Sequence, residues 1–367
     1  MGSRVFFADL SGERGGILRR IEGLLEAMEV QKGVREGDLC AIKVHFGERG
    51  NASFLRPLFL RPIVRKLRDL GAKPFLTDTN TLYKGGRSDA VSHLETALEH
   101  GFGYEAVGAP VLIADGLRGN ASVEVQIEGE IYHKVDIAHA IHQADSLIVV
   151  THFKGHDLAG FGGALKNLGM GCASRRGKLS QHSEVAPEVR RKRCRGCGRC
   201  VERCPTGALS LEGGKVILDE GRCIGCGECI VLCPYKAITV HWKTDPALFQ
   251  RKMAEYALGA VKGKEGRVFF LNFLLQITPL CDCYPSSDPP LVGDIGVLAS
   301  KDPVAIDQAS VDLVIGQPAN PLSSLVKGLG PGTDKFRAVH KGIDWQVQLE
   351  HAQRLGLGSR RYELVRV

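Results

Sequence analysis

The sequence predicts an α/β fold: a mostly parallel sheet with helices on both faces, interrupted by an inserted cysteine-rich α+β module. Three observations predict it. Strand-like apolar runs alternate with amphipathic helical runs at both ends of the chain. That rhythm stops near Ser180 and resumes at Asp245. Of the 12 cysteines, eight fall between Cys194 and Cys233. The 367 residues therefore divide into a first α/β part (1–187), an insertion (188–242) and a second α/β part (243–367).

In order, residues 5–10 (VFFADL) read as a strand and Gly15 to Gln31 as an amphipathic helix. Strand 39–46 follows, then a helical run at 57–71, a strand at 73–79 and a helix at 91–101. Residues 122–135 alternate strictly and predict a β-hairpin turning at Glu128-Gly129 or Gly129-Glu130. A short helix from Ile137 to Ala144 leads into the buried strand 145–153. After the insertion come a helix at 245–262 and strands at 267–278 and 295–300. Asp302-Pro303 then supplies an N-cap and a proline at the first helical position for helix 304–316. A helix around 334–356 and a final strand, YELVRV, close the chain.

The composition is that of a globular protein, 44% hydrophobic and 24% charged. No apolar run approaches the ~18–20 residues of a bilayer span; Phe269 to Ile277 is interrupted by Asn272 and Gln276. The first residues enter a strand with no signal-like apolar stretch, and Phe6 spoils a myristoylation pattern, so a cytoplasmic location is expected. There, thiols serve metals and redox chemistry rather than a disulfide framework. The net charge of +7 is local, because Arg175 to Arg203 carries ten Lys/Arg against three acids. That run could dock an acidic redox partner or be a solvated face; nucleic acid is disfavoured, since no aromatic residue interleaves the charges.

Residues 194–205 (CRGCGRCVERCP) and 223–234 (CIGCGECIVLCP) both match C-x2-C-x2-C-x3-C-P, the run of two-cluster bacterial ferredoxins, in which the fourth cysteine of each run serves the other cluster. Thiolates at this spacing wrap one face of a cubane, and glycines 196, 198, 225 and 227 let backbone amides approach the sulfides. One 4Fe-4S cluster is assigned to Cys194, Cys197, Cys200 and Cys233, the other to Cys223, Cys226, Cys229 and Cys204. Zinc knuckles seldom use two matched four-cysteine runs that each end in proline. Such clusters carry single electrons at low potential, on the order of −400 mV.

Ligands of doubly wound sheets bind beyond the carboxyl ends of the strands. In this chain those positions hold Lys43 to Glu48, Thr77 to Asn80, Thr151 to His156 and Pro279 to Cys283, beside the Gly-rich loop 155–172. The loop is neither a dinucleotide fingerprint nor a P-loop: Leu165 replaces the third glycine, and Gly171 to Gly177-Lys178 has the wrong spacing. His45, His152, Lys154, His156, Lys166 and Lys178 are the candidate catalytic residues, the lysines to neutralise an anion and the histidines to handle protons or metal. Cys281 and Cys283, on one face of an extended segment, join Cys172 as a candidate third metal or iron–sulfur site. Cys40 reads as a buried hydrophobe, Asp302 as an N-cap, and Asp307 as a polar-face residue. No motif specifies a flavin, a substrate or a direction of electron flow.

The segments KVHFGE (43–48), HFKGH (152–156), GFGGALKNLGMGC (160–172), RRGKL (175–179), CDCYP (281–285) and DIGVLASKDPVAID (294–307), with the paired cysteine runs, resemble the iron–sulfur members of domain-of-unknown-function family 362. The resemblance implies an α/β domain with an inserted ferredoxin module and supplies no activity. Two functional readings follow. In one, two cubanes relay electrons to a substrate or metal at the strand ends; in the other, a non-catalytic carrier or metal-delivery protein docks a partner enzyme.

Overall fold

The computed structural model describes residues 2–10, 16–183, 186–240 and 244–367. The first part runs β1 (Ser3–Asp9), α1 (Gly16–Ala27), β2 (Leu39–Lys43), α2 (Arg61–Asp69), β3 (Lys73–Asp78), α3 (Ala90–Glu99), α4 (Tyr104–Val107), β4 (Val111–Ile113). A hairpin follows, β5 (Ser122–Gln126) and β6 (Lys134–Ala138), then α5 (His139–Gln143), β7 (Ser146–His152), β8 (Lys154–His156), β9 (Gly160–Gly162), α6 (Ala164–Gly169) and α7 (Arg175–His182). The cysteine-rich stretch contributes β10 (Glu188–Val189), α8 (Arg199–Glu202), β11 (Leu209–Glu212), β12 (Lys215–Leu218), α9 (Glu228–Leu232) and β13 (Ile238–Thr239). The last part holds α10 (Pro246–Val261), β14 (Val268–Leu274), β15 (Gly296–Ser300), α11 (Pro303–Ile315), α12 (Lys335–Val339), α13 (Gln346–Arg354) and β16 (Tyr362–Arg366).

Eight strands form one sheet in the order β16-β1-β15-β14-β7-β2-β3-β4. All run parallel except β15, which is antiparallel to both β14 and β1. The exception has a plain cause. A parallel neighbour needs a crossover that returns the chain to the other end of the sheet, and residues 275–295 form no helix to provide one.

Central strands are buried on both sides, so successive residues feed opposite cores. Ile148 and Val150 pack with Ile21, Leu24 and Leu25 of α1 and Ile63, Val64 and Leu67 of α2. Leu147 and Val149 pack with residues of α6, α10, α11 and α13 on the opposite face. Asp302 caps its helix as expected, accepting from Val304 N at 2.8 Å and Ala305 N at 2.9 Å, and Asp245 caps α10 in the same way, accepting from Leu248 N at 2.8 Å. Hairpin register pairs Glu124 with Asp136 and so centres on Glu130. The single helix expected at 334–356 is two, α12 and α13, separated by a turn in which Gly342 takes φ +80°.

Antiparallel β10 and β13 lie side by side, so the chain enters and leaves the cysteine-rich stretch through one two-stranded neck. Its small core (Cys194, Cys200, Leu209, Val216, Ile230, Cys233, Ile238) is completed by Leu82 and Leu179 from the α/β part. The expected boundary at 242/243 lies outside the described residues. Among the described residues no helix is long and apolar enough to cross a membrane.

Candidate functional site

From β2 the chain lays β3 and β4 to one side and β7 and β14 to the other, so the strand order reverses between β2 and β7. That reversal is where open α/β sheets bind ligands. A cavity of about 800 Å³ opens there, walled by the segments following β2, β3 and β7 together with α6, α7, Phe249 of α10 and Cys283.

Its floor is an ionic network. Lys43 Nζ, at the end of β2, lies 2.9 Å from Asp78 Oδ1 and donates to Asn167 Oδ1 at 2.7 Å. Arg87 reaches Asp78 at 3.3 Å, the Tyr83 hydroxyl at 2.8 Å and Glu48 at 3.4 Å. Burial opposes ionisation of Asp78, but Lys43, His93 and Arg87 together hold its carboxyl down to about 2. Lys178 Nζ donates to the Thr79 hydroxyl and to Ala173 O (2.7 Å) and meets no carboxylate among the described residues. Burial, against the nearby carboxylates of Asp115 and Asp78 and with Lys43 and Arg87 adding to it, lowers its ammonium to about 8. The cavity thus holds more buried cation than its carboxylates neutralise, which suits an anionic ligand.

The histidines divide. His45 Nδ1 accepts from Gly47 N–H at 3.0 Å, and His156 Nδ1 accepts from Leu158 and Ala159 N–H at 3.1 and 3.2 Å. Burial first, then surrounding lysines and Arg87, keeps His45 well below the usual imidazole range; burial and Lys166 do the same for His156. Both rings are therefore neutral with the hydrogen on Nε2, and both line the cavity. His152, by contrast, is a strut. Its Nδ1 faces the Asp282 carboxylate at 2.9 Å and its Nε2 the carbonyls of Leu275 and Gln276, leaving neither nitrogen for a ligand.

Lys154 donates to His152 O at 2.7 Å and lies 3.5 Å from Asp282. Lys166 projects from α6, whose first turn is held by a carboxylate from another helix. Asp307 of α11 accepts from Ala164 N at 2.7 Å and Leu165 N at 2.9 Å. A side chain at Gly163 would put Cβ 2.3 Å from that carboxylate, so only glycine admits it. Burial raises the Asp307 carboxyl to about 6 against these donors. Lys166 Nζ lies 3.4 Å from Cys281 Sγ.

The supposed three-cysteine centre comes apart. Cys172 is fully buried beside Lys43, Asp78 and Lys178, its thiol pushed up to about 11 by burial, and takes no part in the Cys281/Cys283 pair. Among the described residues no three His, Cys, Asp or Glu side chains are placed to hold a single metal ion. Residues 281–284 form a turn closed by Tyr284 N–H to Cys281 O (3.0 Å) rather than an extended segment. A hydrogen bond from Cys283, against burial and with Lys166 and Lys154 beside it, holds the Cys281 thiol well below its ordinary value; Cys283 is raised correspondingly. The 175–203 run also divides: Arg175 and Lys178 are buried, whereas Arg191 to Arg193, Arg195, Arg199 and Arg203 are exposed.

The paired cysteine runs fold around two small cavities. One is lined by Cys194, Cys197, Cys200 and Cys233, the other by Cys204, Cys223, Cys226 and Cys229 with Cys200 at its edge. Backbone amides point at sulfur: Val216 N–H to Cys194 (3.3 Å), Ala208 N–H to Cys204 (3.2 Å) and Ala237 N–H to Cys233 (3.2 Å). Glu228 of the second run is buried between Arg175 and Arg118, each at 3.0 Å. Gly227 abuts Leu82, and Leu82 also lines the large cavity, so the second loop sits directly behind the cavity wall.

Sequence reasoning did not single out Arg87, Tyr83 or Asn167, and it misread Asp307. The Lys84-Gly85-Gly86-Arg87 loop after β3 was the available signal: Gly86 N–H reaches Glu48 Oε1 at 2.6 Å, an approach that a side chain would block.

Fold and site together define an α/β chain with a cation-lined cavity at the sheet's switch point and a cysteine-rich excursion packed behind it. The chain belongs to the family described as Domain of unknown function (DUF362), which it matches over residues 40–312. Similar solved structures include the lactate racemase apoprotein from Thermoanaerobacterium thermosaccharolyticum, at 15% identity and TM-score 0.39, covering 74% of this chain and 51% of that one. A protein from Thermotoga maritima is similar at 10% identity and TM-score 0.36, covering 70% of this chain and 50% of that one. The matches thus span about half the length of those chains. No curated protein matches.

Proposed function

We propose that this protein is an iron–sulfur redox protein in which two 4Fe-4S clusters pass low-potential electrons to an anionic substrate held in the strand-end cavity. One observation carries the reading. The eight cysteines line two small cavities, Cys200 reaching both, in groups that support the exchange of fourth cysteines between paired C-x2-C-x2-C-x3-C-P runs, and the second group lies behind Leu82 in the wall of the large cavity. The donor chemistry fits: each set supplies four cysteine sulfurs, and backbone N–H groups aim at three of them. When bound, such clusters supply single electrons at low potential.

The chain's own residues do the rest. Lys178, which meets no carboxylate among the described residues, and Lys43 and Arg87 on the floor bind and orient the substrate's negative charge. His45 and His156 each present Nε2–H as a neutral hydrogen-bond donor, able to stabilise charge that develops on a substrate oxygen. They are not proton acceptors at that atom. The exposed arginines from Arg191 to Arg203 offer an acidic redox partner a docking face beside Cys197, the exposed cysteine of the first set.

Iron and acid-labile sulfide should each approach about eight per chain in anaerobically purified protein, by the cluster stoichiometry. Cys226→Ser should lower both while leaving the first cluster's paramagnetic signal. Zinc in place of iron would overturn the reading.

A further inference from the structure

We propose that Cys281 and Cys283 form a reversible dithiol/disulfide couple in the cavity wall, oxidised by an anionic low-molecular-weight disulfide. The inference rests on the cavity being an anion site, as read above, and not on the clusters.

Four observations place it. A fully extended chain spans up to about 7 Å over two residues, at or past the ~6.8 Å limit of disulfide Cα separations; the turn at 281–284 shortens that span. The turn is anchored on three sides. Asp282 is fully buried and bound to His152 and Lys154, its carbonyl accepts from Glu48 N–H (2.8 Å), and the Cys283 carbonyl accepts from the Tyr83 hydroxyl (2.9 Å). The two sulfurs differ in access: Cys281 is 1% exposed, whereas Cys283 lines the cavity. Lys166 stands 3.4 Å from Cys281 Sγ as its counterion, and the hydrogen bond from Cys283, with Lys166 beside it, favours the thiolate there against the burial that opposes it.

The chemistry follows from this asymmetry. The Cys283 thiol passes its proton to the Cys281 thiolate and attacks one sulfur of the bound disulfide, whose S–S bond breaks. The first half leaves as a thiol after taking a proton from water. Cys281 then attacks Cys283 Sγ and its proton passes to the departing second half, which leaves as a thiol as the Cys281–Cys283 disulfide closes. One substrate disulfide is reduced to two thiols by two electrons, and the dithiol is oxidised by two. Exchange with a low-molecular-weight thiol runs the sequence backwards and restores the pair.

The test uses the full chain, purified anaerobically, with glutathione disulfide as the anionic probe and cystamine as the cationic one. After alkylation, mass analysis of the peptide containing residues 281 and 283 should show a protected pair that forms at least tenfold faster with glutathione disulfide. Cys40 and Cys172 should stay reduced. Cys281→Ser should stop at one glutathionyl group on Cys283, and Cys283→Ser should acquire none. Full alkylation of both cysteines after glutathione disulfide, or equal rates with the two probes, overturns the proposal, and the unsubstituted chain decides this even if a variant misfolds. Iron measured on the same sample separates the readings: protection without iron sinks the clusters alone, and iron without protection sinks the couple alone.

Discussion

Replacing Asp78 by asparagine should move stability and anion binding in opposite directions. Asp78 is buried between Lys43 (2.9 Å) and Arg87 (3.3 Å), and its carboxyl is held at about 2 against an ordinary 3.8. Each tenfold change in proton affinity is worth about 1.4 kcal/mol, so ionisation contributes about 2 kcal/mol at neutral pH. A depressed carboxyl stabilises above its unfolded value, and the contribution fades as pH falls from about 4 towards 2. A neutral amide in its place mimics the protonated carboxyl. Asp78→Asn should therefore cost about 2 kcal/mol in urea unfolding at pH 7, and less at pH 3. Removing one negative charge from the floor should also strengthen an anion's binding by roughly 1–2 kcal/mol at an effective dielectric near 20, a five- to thirtyfold gain. Sulfate titration by calorimetry reads this directly. A variant as stable as the parent at pH 7, or one that binds sulfate more weakly, refutes the argument that Asp78 balances cations reserved for a ligand.

Lys178 titrates near 8, below its ordinary value, so it is charged below that pH and neutral above it. Sulfate affinity should fall several-fold between pH 7 and 9.5 and be flat over that range in Lys178→Met; the same shift makes stability rise with pH from about 8 to 10.5, since the unfolded chain then binds the extra proton. Replacing residues 188–239 by a short Gly/Ser linker should leave a folded α/β body, because β10 and β13 bring the ends together. A random-coil circular dichroism spectrum from that protein would show that Leu82 and Leu179, which the excision uncovers, matter more than the neck.

The sheet was legible because its strands and helices obey different periods, and the cap at Asp302 announces itself by residue type. Antiparallel β15 was less so, because its direction depends on the absence of a helix in 275–295, a Pro- and Cys-bearing stretch without a clear period. At the site, strand-end position found Lys43, His45, Lys154 and His156, since topology puts strand ends together. It also drew in His152 and Cys172, which share that location but turn their polar atoms into the protein. Whether a side chain faces a cavity or a carbonyl is decided by partners far away in sequence, as Asp282 is from His152. Asp307 was missed for the same reason: a helix face looks polar until a second helix, here α6, ends on it.

Among the described strands, β1 has β15 and β16 as its sheet neighbours. It therefore waits for one partner that appears almost 290 residues later and for a second, outer one that follows later still. At about 5–20 residues per second, a ribosome needs roughly 15–60 s to span that interval. The cysteine runs emerge in the middle of it, before β14 can join β7 and close the centre of the sheet. On the iron–sulfur reading proposed above, cluster-loading machinery would meet eight open thiols during synthesis, on a chain whose α/β body is still unfinished. Order of manufacture, as much as final geometry, then favours metal reaching the cysteines before the wall behind Leu82 is sealed.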